Sequence, residues 1–247
     1  MVLAAVTLGL AFTQFRLQRQ RSASGLAVLA MDVSESMNRT DIRPSRLEAA
    51  QVAAKAFLNQ VPADLRVGLV TFAGEAKILV PPTADRAALD EALIAAEQGE
   101  GTVIGDGLAA ALDAIQKGRS EGAEGPASVV LLSDGRDTGS EVSPDEAAAR
   151  AKDLGVTIYT VVLGQAVTDD PNAGANVDLL SRVATTTGGS TYSPESAADL
   201  LRLYRSLGSQ LSTEVDITDY GAMLVGFAAI LAFAATGALM LSIRREY

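Results

Sequence analysis

The chain has 247 residues, of which 20 are Lys or Arg and 30 are Asp or Glu, so its formal net charge at pH 7 is −10. This acidity argues against a nucleic-acid-binding function, which needs a basic face. His and Cys are both absent, which excludes a Ser-His-Asp triad, an imidazole base, a disulfide framework and any zinc site built on His or Cys.

Residues 1–24 form an apolar segment followed by a basic linker. Residues 1–15 carry no charge, and Arg16, Arg19 and Arg21 come directly after them. Fifteen residues fall short of the roughly 20 that a spanning helix needs, and the basic region that opens a signal peptide is missing. We expect a partial membrane span whose start lies upstream, with an uncleaved anchor and an interfacial segment as the alternatives.

The first predicted strand covers residues 26–31, a short apolar run typical of a strand buried on both faces. Asp32, Ser34 and Ser36 follow it. Residues two apart on an extended segment point to the same side. If the chain bends after Asp32, one carboxylate and two hydroxyls therefore converge at the carboxyl end of this strand, where open α/β sheets bind ligands.

Strands and helices alternate along the following 180 residues, which predicts βαβ units and a doubly wound, mostly parallel open sheet flanked by helices. Pro44 is expected in the opening turn of the first helix, and Pro81 and Pro82 are expected to end the third strand. The predicted strands are residues 26–31, 66–72, 77–80, 128–132, 156–163 and 191–192. The predicted helices are residues 44–59, 85–97, 108–117, 144–154, 177–186 and 195–211.

Two further loops carry polar residues beside the predicted strand ends. Thr102 lies in the glycine-rich segment 99–107, and Asp134 follows the strand 128–132. The glycines superficially resemble a dinucleotide-binding loop, but this segment follows a helix, and that fingerprint needs a strand, then a turn, then a helix. Asp106 is a further candidate for the same site, but we expect it to cap the helix 108–117 instead. Asp41 and Asp137 are expected to be solvated loop acids.

The candidate ligands are therefore three hydroxyls and two carboxylates, from Asp32, Ser34, Ser36, Thr102 and Asp134. Hard oxygen donors suit Mg²⁺, which takes six oxygens and usually keeps waters among them. Two negative charges roughly neutralise a divalent ion and leave it able to accept one more anionic ligand. We expect Mg²⁺ or Mn²⁺ as the cofactor.

Residues 220–243 carry no charge and are long enough to form a transmembrane helix, with a buried core helix as the alternative. A polar linker, residues 212–219, precedes this stretch. Arg244 and Arg245 follow it, so the positive-inside rule predicts a cytoplasmic tail, residues 244–247, and an extracytoplasmic domain. The arginines of the N-terminal linker favour the opposite orientation, but they flank a less complete span.

The segments D-V-S-E-S, G-T-x-I-G-D and L-L-S-D-G, in this order, resemble the von Willebrand factor type A (VWA) domain over residues 25–211. The resemblance implies a Rossmann-like fold and a metal-ion-dependent adhesion site. It places the metal ligands at Asp32, Ser34, Ser36, Thr102 and Asp134. It also implies that the hydroxyls coordinate directly or through water, that the aspartates act largely through water, and that an acidic side chain of a partner protein completes the shell.

The layout is most similar to bacterial membrane proteins of the aerotolerance (Bat) type, which are often found beside MoxR-type ATPases. This resemblance implies a location in the cell membrane, with other VWA membrane proteins and a MoxR-type ATPase system among the partners. The expected function is a membrane-anchored, non-enzymatic module that binds acidic partner groups through a divalent cation.

Two alternatives remain at this point. One is a structural membrane scaffold with no metal-dependent ligand. The other is a metal-dependent phosphoryl-transfer enzyme with Asp32 as the acceptor, although Ser34 stands where such a site needs a second acid, and a serine nucleophile has no histidine base.

Overall fold

The computed structural model describes residues 25–123, 125–134, 137–163 and 173–213, without the side chains of residues 173–176 and 207–213. The apolar N-terminal segment, the predicted span 220–243 and the predicted tail 244–247 lie outside the described residues. Within the described ranges, no helix combines the length and the apolar character needed to cross a bilayer.

In the described part of the chain, six strands form one sheet in the order β3-β2-β1-β4-β5-β6. Neighbouring strands are parallel, except that β3 runs antiparallel to β2. This arrangement confirms the predicted mostly parallel α/β sheet. The strands are β1 Leu26–Asp32, β2 Arg66–Phe72, β3 Ala76–Thr83, β4 Ala127–Ser133, β5 Val156–Val162 and β6 Thr191–Tyr192.

Helices cover both faces of the sheet. They are α1 Arg46–Gln60, α2 Arg86–Ile94, α3 Ile104–Ser120, α4 Pro144–Asp153, α5 Ala173–Thr186 and α6 Ala197–Thr213, with a short 3₁₀ turn at Glu35–Asn38. Residues Leu29 and Met31 of β1 face a core shared with α1, α2 and α6. Residues Val28 and Ala30 face a core shared with α3, α4 and α5. The period of two along β1 thus divides its side chains between two apolar layers.

The third strand is longer than predicted, because it continues through Pro81 and Pro82 to Thr83. A proline removes one backbone donor, and an edge strand tolerates this loss where its N–H would face away from the sheet. The partner strand leaves room for the ring, since Pro82 packs over Gly68 of β2.

Helix boundaries also differ from prediction, and the starts of α1 and α3 show why. Ser45 caps α1 by accepting the Glu48 N–H at 3.1 Å, so Pro44 precedes the helix rather than opening it. Helix α3 begins at Ile104, four residues before the predicted start, inside the segment expected to be loop. At the other end of the domain, α6 continues to Thr213, two residues into the predicted linker.

Candidate metal centre

The candidate residues gather where the strand order reverses. From β1 the chain builds the sheet toward β2 and β3, and it then returns to place β4 on the other side of β1. Ligands of open α/β sheets bind in the crevice that such a switch point leaves at the carboxyl ends of the strands. The parallel register sets Met31 beside Leu132. Asp32 therefore lies beside Ser133, and Asp134 follows one residue later.

Asp32 is fully buried and accepts hydrogen bonds from Ser34 and Ser133. Its Oδ1 accepts the Ser34 N–H at 2.8 Å, and its Oδ2 accepts the Ser133 hydroxyl at 2.6 Å. The pKa of the Asp32 carboxyl is raised from 3.8 to about 6, chiefly by burial and to a smaller extent by the charge of Asp134, against the lowering effect of its hydrogen bonds. The protein thus orients this carboxylate while withholding water from it, and an ionised group in that position gains from a bound cation.

Ser34 and Ser36 bring their hydroxyls together at the start of the 3₁₀ turn. Their Oγ atoms lie 3.0 Å apart. Octahedral Mg²⁺ holds oxygens at about 2.0–2.1 Å, so two adjacent ligands of one ion are about 2.8–3.0 Å apart. The serine pair therefore fits two neighbouring positions of a magnesium shell. The bend predicted after Asp32 places the two serines together as expected.

Thr102 lies in a loop that is hydrogen-bonded to three other loops. The Gly99 N–H donates to the Val33 carbonyl at 3.1 Å, and the Val103 N–H donates to the Ala73 carbonyl at 2.8 Å. Thr102 is buried, and its N–H donates to the Thr138 hydroxyl at 2.9 Å. The segment containing Thr102 is thus attached to the loops that follow β1, β2 and β4.

A glycine at position 101 makes this packing feasible. Gly101 has a φ of +78°, which disfavours a side chain, and a Cβ there would lie 3.3 Å from the Cα of Gly74. The glycines of this segment consequently serve close backbone packing in the structure, with Thr102 carried on the resulting loop.

Asp134 is joined to an arginine that the sequence analysis did not single out. Arg46, the first residue of α1, donates from Nη1 to Asp134 Oδ2 at 3.0 Å. Its Nε and Nη2 donate to the two oxygens of Asp41 at 2.8 and 2.7 Å. Asp41 is therefore an ion-pair partner rather than a solvated acid, and the bonds from Arg46 hold its pKa below the usual range.

One sequence signal pointed toward Arg46. Helix N-termini favour acidic side chains because of the helix dipole, so an arginine in the first turn of a helix gains from a carboxylate nearby.

Asp106 and Asp137 have structural roles around the start of α3. Asp137 accepts the Ile104 N–H at 2.8 Å, so it satisfies the helix terminus from a distant loop and is not a solvated acid. Asp106 accepts the N–H groups of Glu141 and Val142 at 3.0 and 2.9 Å. Asp106 therefore fixes that loop and does not cap α3, contrary to the sequence-based expectation.

The donor chemistry of the crevice fits a hard divalent cation. No three Asp, Glu, His or Cys side chains among the described residues come together as a cage that would hold a metal ion on their own. A cation beside the carboxylates of Asp32 and Asp134 would need further oxygen ligands, and the hydroxyls of Ser34 and Ser36 lie next to Asp32. Oxygen-only ligation with few charges favours Mg²⁺ or Mn²⁺ and leaves positions open for water or for an external carboxylate.

Residues 27–136 match the family model of the von Willebrand factor type A domain. A UPF0353 protein of Mycobacterium bovis (strain BCG / Pasteur 1173P2) is 36% identical over 249 residues, which cover 93% of this chain and 72% of that relative. Among solved structures, a conserved hypothetical protein BatB from Bacteroides thetaiotaomicron is similar, with a TM-score of 0.63 and 20% identity over 76% of this chain and 97% of that chain.

A second similar structure is an aerotolerance-related membrane protein from Bacteroides fragilis NCTC 9343. Its TM-score is 0.61 at 18% identity, and the match covers 75% of this chain and 98% of that chain. At these identities the structural likeness establishes the fold. The family match and the curated relative together identify this chain as a member of the UPF0353 family that carries a von Willebrand factor type A domain.

Proposed function

We propose that the chain is a membrane-anchored protein-binding module that holds Mg²⁺ or Mn²⁺ and uses it to bind an acidic side chain of a partner protein. Asp32, Ser34, Ser36, Thr102 and Asp134 are the metal ligands in this proposal. The cation supplies an open, positively charged coordination position on a protein that is otherwise strongly acidic.

The observation that carries this proposal is the convergence of the first three residues at the sheet's switch point. Asp32, Ser34 and Ser36 are connected by hydrogen bonds, and the serine hydroxyls have the separation of adjacent ligands in an octahedral shell. Asp134 lies close enough for its charge to raise the pKa of Asp32. A cation between the two carboxylates would relieve that repulsion.

Membrane anchoring and orientation are part of the proposal. Its support is the uncharged stretch 220–243 and the two arginines after it. We place the protein in the cell membrane with the VWA domain extracytoplasmic. Other VWA membrane proteins and a MoxR-type ATPase system are the partners we propose to test first.

We further propose that the site does not catalyse a reaction. The chain contains no histidine to serve as a base. Ser34 stands two residues after Asp32, where an aspartyl-phosphate site needs a second acid to handle the proton. Purified protein incubated with Mg²⁺ and phosphoryl donors should show no turnover that Asp134→Ala abolishes.

Partner capture from detergent-solubilised membranes tests the binding function. Tagged wild-type chain should retain a specific partner in Mg²⁺ and lose it in EDTA, and Asp134→Ala should lose it in both. Asp90→Ala is the matched control, because Asp90 pairs with Lys55 on the surface and should bind as the wild type does. Partner retention that is equal in Mg²⁺ and EDTA would contradict metal-dependent binding.

A further inference from the structure

Arg46 has an unusual position for a cation. Its side chain is only 5% exposed although it stands at the first residue of α1, where the helix dipole disfavours a positive charge. A buried guanidinium in such a place is stable only when carboxylates pair with it. Both of its carboxylate partners come from outside the helix.

The three bonds of Arg46 divide between two carboxylates. Asp41 receives two of them, one on each oxygen, and Asp134 receives the third on Oδ2. The planar guanidinium group can bond two carboxylates at once, because it presents five N–H donors in fixed directions. A lysine ammonium is instead a point charge on a flexible side chain.

We infer that Arg46, itself held by Asp41, is a positioning residue that orients the Asp134 carboxylate for a divalent cation. This inference rests on the proposed function of the site. One oxygen of Asp134 is engaged by Arg46, so the carboxylate cannot rotate freely, and the lone pairs that remain are directed by the protein before any metal arrives.

The charge balance is consistent with a positioning role. Arg46 alone would repel an incoming cation, but its bidentate pairing with Asp41 offsets that positive charge. The Asp41 side chain is 31% exposed while that of Asp134 is 12% exposed. Asp41 is therefore the partner on the solvent side of Arg46, and Asp134 is the partner that Arg46 presents to the crevice.

Calorimetric titration of the full chain, purified in mild detergent, with Mg²⁺ tests the inference. Outer-shell partners of metal ligands typically contribute about 10- to 100-fold to metal affinity. Asp41→Asn and Arg46→Lys should each weaken Mg²⁺ binding by about tenfold or more, and lysine should fail to rescue because it cannot bond both carboxylates in the same geometry. Lys55→Met, which removes an exposed ion pair, is the matched control and should leave the affinity unchanged.

A second measurement is independent of metal. In EDTA, Asp41→Asn and Asp134→Asn should lower the melting temperature by more together than the sum of their separate effects, since only the double variant leaves Arg46 without any charged partner. If Arg46→Lys does not fold, Asp41→Asn still tests the inference, because Asp41 is the more exposed of the two carboxylates and its substitution disturbs the core less.

Three results would each overturn a different claim. Unchanged or tighter Mg²⁺ binding in Asp41→Asn overturns the positioning role, because Arg46 would then be neutral toward the cation or a competitor for Asp134. Additive melting losses in EDTA overturn the Arg46 bridge itself. If the wild-type chain binds neither Mg²⁺ nor Mn²⁺, the proposed function fails and the role of Arg46 toward a cation is overturned with it, whatever the melting data show.

Discussion

Asp32→Asn should stabilise the metal-free protein while removing a proposed metal ligand. The Asp32 carboxyl is buried, and its pKa rises from 3.8 to about 6 on folding. Ionising such a group in the folded state costs about 3 kcal/mol relative to the unfolded chain. Asparagine removes the charge and keeps an oxygen for the Ser34 N–H, and the Ser133 hydroxyl can accept from its amide.

The pH dependence has a definite sign. In the wild type, the folded state holds the Asp32 proton more tightly than the unfolded state does. Protonated Asp32 therefore stabilises the fold fully below the unfolded pKa, and this stabilisation is lost as the pH rises through about 6. In EDTA at pH 8, Asp32→Asn should therefore melt above the wild type. A gain of about 3 kcal/mol corresponds to about 6–12 °C for a domain of this size. The gain should shrink as the pH falls toward 5.

Thermal unfolding of the full chain, followed by circular dichroism in EDTA, measures both effects. Asp134→Asn is the matched control with the opposite expected sign, because its carboxylate pairs with the buried Arg46. The reasoning is refuted if Asp32→Asn melts below the wild type at pH 8. It is also refuted if the difference in melting temperature in favour of Asp32→Asn grows toward pH 5, because ionised Asp32 would then not destabilise the fold.

Three further predictions concern the fold and the membrane topology. Gly105→Ala should destabilise the protein by more than about 2 kcal/mol or prevent folding, because a Cβ there would lie 1.8 Å from the Val142 carbonyl oxygen. Gly118→Ala in the same helix should cost less in urea unfolding, because the nearest atom to its Cβ would be a side-chain carbon of Leu26 at 3.1 Å. Phe57→Ala should lower the free energy of unfolding by about 3–5 kcal/mol, since Phe57 is fully buried against the last helix, while Val52→Ala on the exposed side of α1 should change it little. Protease added to intact cells, after removal of any wall, should cleave the VWA domain and leave a C-terminal tag protected; protection of the domain until lysis would reverse the proposed orientation.

The fold was predictable because its strands are short apolar runs that alternate with helical patterns. The order of these elements already indicates a mostly parallel sheet. The length of β3 was not predictable in the same way. Whether Pro81 and Pro82 end a strand depends on whether that strand lies at an edge and on the space above Gly68, and both are tertiary facts.

The candidate site was predictable as far as it depends on strand ends. Asp32, Ser34 and Ser36 follow one strand with a spacing of two, and Asp134 follows the strand that pairs with it. The acids around the site were misjudged, because Asp41 and Asp137 find their partners only in the folded chain, at Arg46 and Ile104.

The central claim is that the side-chain oxygens at the carboxyl ends of β1 and β4 bind one divalent cation. Calorimetric titration of the full chain with Mg²⁺ or Mn²⁺ tests this claim most directly. The wild type should show saturable binding of one ion, and Asp32→Asn should show none. At a hundredfold excess over the dissociation constant, the ion should stabilise the wild type by about 2.7 kcal/mol, a rise in melting temperature of about 5–10 °C. No saturable heat with either ion, together with an unchanged melting temperature, would contradict the assignment of Asp32, Ser34, Ser36, Thr102 and Asp134 as a metal centre.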